Sequence, residues 1–249
     1  MNPVIETIVN HRSIRDFEDK QLSDDQIMSI VNCAQAGSTS SFIQAYSIIG
    51  VNDVEKKKKL AQLAGNQSYV EKNGHFFVFC ADLHRHDVIA ELEGADLEPS
   101  LESTEKFMVS LIDATIAAQN AALAAESMGL GICYIGGIRN NLEAVCDVLQ
   151  TPKHVVPLFG LAVGYPKTNT GQKPRLPFAN VYHENVYQQD RELYKNQLEQ
   201  YNETISEYYQ ERTKGARKDS WTGQMSNMLK EPKRMYMKQF VEGKGLNKK

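Results

Sequence analysis

The sequence predicts a single domain built of both helices and strands, and three observations carry that expectation. Four short apolar runs rich in β-branched and aromatic residues read as buried strands, and helical periodicity fills stretches between them. No internal repeat, low-complexity tract or Gly/Ser linker divides the 249 residues. With 41% hydrophobic and 24% charged residues, a chain of this length has the material for a real core.

In chain order, Pro3 to Asn10 reads as a short helix. Ser23-x-x-Gln26 has the form of a capping box, and Ile27, Ile30, Val31 and Ala34 follow at helical spacing, which predicts a helix from about Asp24 to Ala36. Tyr46 to Val51, Phe76 to Cys80, Ile132 to Ile135 and Leu158 to Val163 are the four strand candidates. A long helical pattern runs from about Ser103 to Met128 and stops at Gly129 and Gly131. Its segment Ala114 to Ala125 carries no charge, and a helix apolar nearly all round needs cover from its own sheet or from a partner subunit, which points to a homodimer. From about Asp190 to Arg212, Tyr194, Leu198, Tyr201, Ile205, Tyr208 and Tyr209 form another helical stripe. Residues from about 190 to 249 are therefore expected to form a helical arm on one domain spanning 1–249.

Twenty-eight Lys and Arg against thirty-one Asp and Glu leave a net charge of −3, which gives the whole molecule no electrostatic case for nucleic-acid or membrane binding. The average hides a split. From Arg212 to Lys249 eleven basic residues face three acidic ones, a net of +8, whereas the other 211 residues hold seventeen against twenty-eight, a net of −11. Such a tail either meets something anionic or is a solvated helix. Cys33, Cys80, Cys133 and Cys146 are widely spaced with no CxxC pair, and read as reduced core residues of a cytoplasmic protein. The N-terminal residues lack the basic start and apolar run of a signal peptide, and no stretch of about 20 apolar residues is expected to span a bilayer.

The usual catalytic signatures HExxH, GxxxxGK[ST], GxGxxG and GxSxG are missing from the sequence. His84-Arg85-His86 could supply two metal ligands, but no acidic partners stand at fixed spacing, so a solvated loop is the expectation and no metal site is assigned. Four clusters stand out instead. His11-Arg12-Ser13-Ile14-Arg15 has the cation density that suits a phosphate. Gly37 to Gln44 is a hydroxyl-rich turn, either a well-capped loop or a donor of hydrogen bonds to a heterocycle or ribityl chain. Tyr134-Ile135-Gly136-Gly137 ends a strand with two glycines that would let backbone approach a flat ligand. Lys173-Pro174-Arg175-Leu176-Pro177 holds two more cations. A phosphate clamp, a polar turn, a glycine platform and a second cation pair, with no nucleophile among them, describe a site whose chemistry is carried by a cofactor.

These clusters, with Ala118-Gln119-Asn120, Ala125 to Gly131, Pro157 to Leu161 and His183-Glu184-Asn185, resemble the oxygen-insensitive NAD(P)H nitroreductase family, in the group that includes NADPH–flavin oxidoreductases. The resemblance covers essentially the full length. It implies an α+β fold, with a central mixed β-sheet flanked by helices and a C-terminal extension, forming a homodimer with one FMN per subunit. By the same resemblance, His11, Arg12, Lys173 and Arg175 clamp the FMN phosphate. Ser13, Arg15, Thr39, Gln67, Tyr69 and Tyr134, Ile135, Gly136 and Gly137 meet the ring and ribityl chain. Arg212, Lys214 and Arg217 resemble the basic segment that binds the 2′-phosphate of NADPH. The implied activity is two-electron ping-pong hydride transfer on FMN N5, from NADPH to nitro compounds, flavins, quinones or other small-molecule acceptors, with no catalytic residue of the protein's own. Two alternatives stand beside it: a flavin- or nucleotide-binding sensor without turnover, and a flavin reductase that supplies free reduced FMN. The basic tail separates enzyme from sensor, because a pure flavin binder has no use for a second phosphate site.

Overall fold

The computed structural model describes residues 2–168 and 170–249. The chain begins with α1 (Pro3–Val9) and α2 (Asp24–Gln35), the latter closed by the reciprocal Ser23–Gln26 capping box that its sequence announces. Then come β1 (Tyr46–Val51), α3 (Val54–Leu63), α4 (Ser68–Glu71) and β2 (His75–Asp82). They are followed by α5 (His84–Glu93), α6 (Glu98–Leu101), α7 (Thr104–Ser127), β3 (Gly131–Ile135), α8 (Leu142–Leu149) and β4 (Val155–Gly164).

Among the described residues the strands form one sheet in the order β1-β2-β4-β3, and every neighbouring pair is antiparallel. The fold class is α+β, but the sheet is not mixed in the sense that the resemblance implied. Its parallel component is a single bridge between Ser13 and Ile132, because the irregular segment around Ser13 pairs with β3 at that one point. β2 is buried along its whole length, and its side chains alternate between two cores. Phe76, Val78 and Cys80 face a cluster with Leu60, Ala61, Val145 and Ile138, while Phe77 and Phe79 face Ile30, Ala34 and the alanines of α7. A strand covered on both faces reads as a continuous apolar run, which is why β2 was legible from sequence.

α7 is long and apolar enough to cross a membrane by length and composition alone, a test that a buried core helix also passes. In the fold, Ala114, Ala117, Ala118, Ala121, Ala122 and Ala125 are buried, and Asp113 is buried beside them. The stripe Met108, Ile112 and Ile116 faces outward at 51%, 50% and 36% exposure. A second correction concerns His84-Arg85-His86, which is the first turn of α5 rather than a loop. Asp82 at the end of β2 accepts from the His84 backbone N–H at 2.8 Å and so starts that helix.

The remaining elements are α9 (Arg191–Arg212), started by Asp190, which accepts from the Glu192 and Leu193 N–H groups, α10 (Trp221–Leu229) and α11 (Met237–Gly243). The chain divides into two units, one of residues 1–170 and 234–249 and the other of residues 171–233. Their boundaries differ from a start of the arm near 190, and the stretch from Arg234 belongs with the first unit. In that unit Val241 and Leu246 join Leu142, Val156 and Leu158 in a third core, and Lys248 and Lys249 both pair with the buried Glu102. The second unit has its own small core of Tyr201, Ile205 and Tyr209 with Trp221 and Leu176 packed against it.

Candidate functional site

The first cation cluster is carried by the segment that lies on β3. Ser13 bridges Ile132, and the Ile14 N–H donates to the Ile132 carbonyl at 2.8 Å. Ile14 is buried, and a Cβ on Gly131 would come within 2.7 Å of its side chain, so glycine at 131 is what lets the segment lie this close. Arg12 and Arg15 project from this anchored backbone. Arg12 lines a polar cavity of about 510 Å³ with Asn10, Glu126, Gly129 and Lys167. His11 is turned to α7, where its Nδ1 lies 2.7 Å from Glu126 Oε1.

A second convergence sits at the end of β3. Burial raises the Tyr69 hydroxyl above its usual value, and the neighbouring Arg15 guanidinium opposes the shift. Burial likewise raises the Cys133 thiol, again opposed by Arg15. Arg15, Tyr69 and Cys133 therefore share one electrostatic neighbourhood. Gln67 begins α4 two residues before Tyr69, with its N–H donating to the Ala61 carbonyl at 3.2 Å. Gly137 comes to the same turn: a Cβ there would lie 2.4 Å from the Ala64 carbonyl oxygen. Its glycine is thus required by the chain's own backbone, where the sequence suggested a ligand as the reason. Gly136 differs, since its Cβ would meet only the Arg139 guanidinium at 3.0 Å, a side chain that donates to the Leu158 carbonyl.

Tyr134 on β3 is 38% exposed, and its hydroxyl donates to the Ala118 carbonyl at 3.0 Å. Burial, helped by the charge of Glu126, pushes that hydroxyl up to about 12, so it stays protonated through the physiological range. Ile135 beside it is buried in the core. Thr39 is placed by a different frame, the outer turns of α7. There Asn120 donates to the Cys33 carbonyl at 3.1 Å, Gly37 passes close to Ile116, and Asp113 accepts from the Ser40 and Ala45 N–H groups at 3.0 Å each. Asp113 and Glu126 were missed by sequence reasoning.

The second unit holds the other cations. Lys173 Nζ lies 5.5 Å from the centre of the Tyr209 ring, and the Arg217 guanidinium lies 4.3 Å from the same ring. Burial would raise the Tyr209 hydroxyl, but Lys173, with the Gln224 hydrogen bond and the Arg217 charge adding to it, outweighs burial and lowers the value. Residues to which the resemblance gave separate roles, flavin phosphate for Lys173 and NADPH for Arg217, thus gather on one aromatic ring. Arg175 donates to the Lys173 carbonyl at 2.9 Å. Arg212 ends α9 with its side chain on Tyr208. Lys214 and Gly215 turn the chain with φ of +52° and +85°. Arg217 Nε donates to Asp219 at 2.6 Å. Among the described residues no group of three or more His, Cys, Asp and Glu could hold a metal ion.

Comparison with known proteins places this arrangement. Residues 8–165 match the family model described as "Nitroreductase family", and residues 173–249 match "Nitroreductase family, C-terminal domain". The chain is 59% identical over 248 residues to "FMN reductase (NADPH)" of Bacillus subtilis (strain 168), covering 100% of both chains. It superposes on the structure of NfrA1 of B. megaterium with a TM-score of 0.98 at 68% identity, covering 99% of this chain and 100% of that one. It also superposes on the NADPH:FMN oxidoreductase from Vibrio harveyi complexed with NAD+, with a TM-score of 0.90 at 39% identity over the whole of both chains. The alternation of β2 between two cores, the cation segment anchored on β3 and the basic turn after α9 are therefore those of a chain that belongs to the nitroreductase family.

Proposed function

We propose that the protein is an FMN-dependent NADPH oxidoreductase that reduces small-molecule acceptors such as nitro compounds, flavins or quinones. The observation that carries the reading is full-length similarity to an FMN reductase (NADPH) at 59% identity. The residues fit the cofactor. A dianionic phosphate matches the Arg12 guanidinium and the His11 ring on an anchored segment, and a flat ring matches the partly exposed Tyr134 and the nearby Gly136. Within the second unit, Lys173 and Arg175 are proposed as further phosphate-binding cations, and Arg212, Lys214 and Arg217 as those for the 2′-phosphate of NADPH.

FMN, when bound, accepts two electrons from NADPH and passes them to the acceptor. The chain's residues hold and tune it. Arg12 and His11 bind the phosphate, Ser13, Thr39, Gln67 and Tyr69 orient the rest, and Arg15 supplies positive charge beside Tyr69. Tyr134 keeps its proton on Oη, engaged with the Ala118 carbonyl, so it offers shape rather than acid catalysis. No side chain need act as a base.

The protein works as a cytoplasmic homodimer in this reading. The support is apolar surface that a partner would cover: Val4, Ile5, Ile8 and Val9 of α1 are each about half exposed, and Met108, Ile112 and Ile116 face outward on α7. Cys80, Cys133 and Cys146 are buried free thiols, in keeping with a reducing compartment, whereas Cys33, expected in the core, is exposed. The test is to purify the protein, measure flavin per chain and mass by light scattering, and assay NADPH oxidation with free FMN, a quinone and a nitroaromatic. A colourless monomer with no NADPH oxidation would sink the proposal.

A further inference from the structure

The segment from Ser40 to Tyr46 is unusual in its backbone. Ser41, Phe42 and Gln44 have φ of +48°, +59° and +56°, left-handed values that none of these side chains favours. Such a conformation persists only where the surroundings over-determine it. Here they do so through three ionisable side chains on two other elements. Asp113, fully buried in α7, takes the N–H of Ser40 on one carboxylate oxygen and the N–H of Ala45 on the other, both at 3.0 Å. Arg85 in the first turn of α5 donates to the carbonyls of Gln44 at 3.0 Å and Tyr46 at 2.6 Å. His86 completes the set, with Nε2 donating to the Ile43 carbonyl at 2.9 Å. Arg85 is itself fixed by Asp82 and Ser47.

We propose that Asp113, Arg85 and His86 are positioning residues that hold the Thr39–Gln44 loop in its left-handed form for the flavin site. The role rests on the reading that Thr39 meets FMN. Asp113 closes the loop at its two ends, and Arg85 and His86 pin the carbonyls on its returning side. Five backbone groups, two N–H and three carbonyl, are thereby given fixed side-chain partners around the strained residues. A carboxylate buried in an otherwise uncharged stretch of helix is a costly placement, and it makes sense where its two backbone donors need to be held. Arg85 is the most accessible of the three, its side chain being 54% exposed, and its loss leaves the buried Asp82 carboxylate with Ser47 and the His84 N–H as partners.

The experiment compares R85A, H86A, H86Q and D113N with wild type as FMN-loaded proteins. Amide exchange over residues 38–47 reads the loop, fluorescence titration reads FMN affinity, and steady-state assay reads KM and kcat. R85A and H86A are expected to speed exchange in the loop about tenfold and to raise the FMN dissociation constant about three- to tenfold. H86Q, whose side-chain amide can still donate to the Ile43 carbonyl, should stay near wild type. D113N should give the largest effect if it folds. R85A and H86A keep the test decisive if it does not. A structural role alone would lower thermal stability and leave FMN affinity unchanged. Faster loop exchange with unaltered FMN affinity and KM would overturn the positioning role, as would unaltered exchange. A wild-type protein that takes up no FMN would instead sink the proposed function, and this role with it.

Discussion

His11 and Glu126 stand 115 residues apart in sequence, yet their side chains meet at 2.7 Å, Nδ1 against Oε1. A carboxylate only accepts, so the proton is on Nδ1, and Nε2 is the ring nitrogen left to meet a ligand. E126Q keeps an acceptor for Nδ1 but loses the stronger hydrogen bond that a carboxylate accepts, and FMN is expected to bind about three- to tenfold more weakly. Fluorescence titration of E126Q checks this. Wild-type affinity in that variant would take the pair out of cofactor binding.

Arg12 meets the phosphate more directly in this scheme. R12A should weaken FMN by about 1.5–3 kcal/mol, the range for a hydrogen bond to a charged group, or roughly ten- to a hundredfold. Flavin retained through dialysis of R12A would remove Arg12 from the site.

The basic turn after α9 should distinguish the two nicotinamide nucleotides. R212A and R217A are each expected to lower kcat/KM for NADPH about fivefold and to leave NADH nearly unchanged, with the effect shrinking as salt is raised. Arg217 is held by Asp219, so D219A tests the geometry separately. If it lowers NADPH efficiency, the pair orients the guanidinium. Equal losses for NADPH and NADH in the arginine variants would show that the turn only shapes the site.

Acid should destabilise the fold through a group far from any ligand. His75 is buried on β2, its ring tilted against that of Phe77, and burial, with the nearby Lys57 charge adding to it, lowers its pKa from 6.5 to about 4. The unfolded chain then binds a proton that the folded chain refuses. The contribution is fully present above pH 6.5 and is lost as pH falls from 6.5 toward 4, amounting to up to about 3 kcal/mol. His154, lowered chiefly by burial, acts in the same direction. Urea midpoints between pH 7.5 and 4.5 should fall in wild type and fall less steeply in H75Q. Parallel curves would assign the acid sensitivity to other groups.

What could be read from sequence was what depends on near neighbours. The Ser23–Gln26 box set the start of α2, Asp190 stands just ahead of α9, and the apolar run of β1 matches its observed ends at Tyr46 and Val51. What could not be read depends on partners far along the chain. Asp113 looks like a polar interruption of an alanine helix until Ser40 and Ala45 are seen to donate to it. His84-Arg85-His86 was misread because Asp82, which starts α5, is also the last residue of a strand. Gly137 was seen to matter, but the carbonyl of Ala64 that requires it lies in another turn. The site residues that the resemblance supplied came from recurring motifs, and periodicity alone would have left them as four clusters without a common purpose.

The return of the chain at Arg234 sets the timing of its birth. When residue 170 leaves the ribosome, the sheet and α7 exist, yet Leu142, Val156 and Leu158 still lack Val241 and Leu246, and Glu102 still lacks Lys248. Residues 171–249 add roughly 4–16 s of synthesis at about 5–20 residues per second. For that interval the nascent chain carries an open apolar seam, and the Glu102–Lys248 contact must close a span of 146 residues. Completion of the first unit is therefore a late event, and an intermediate caught before it is the species most in need of a chaperone.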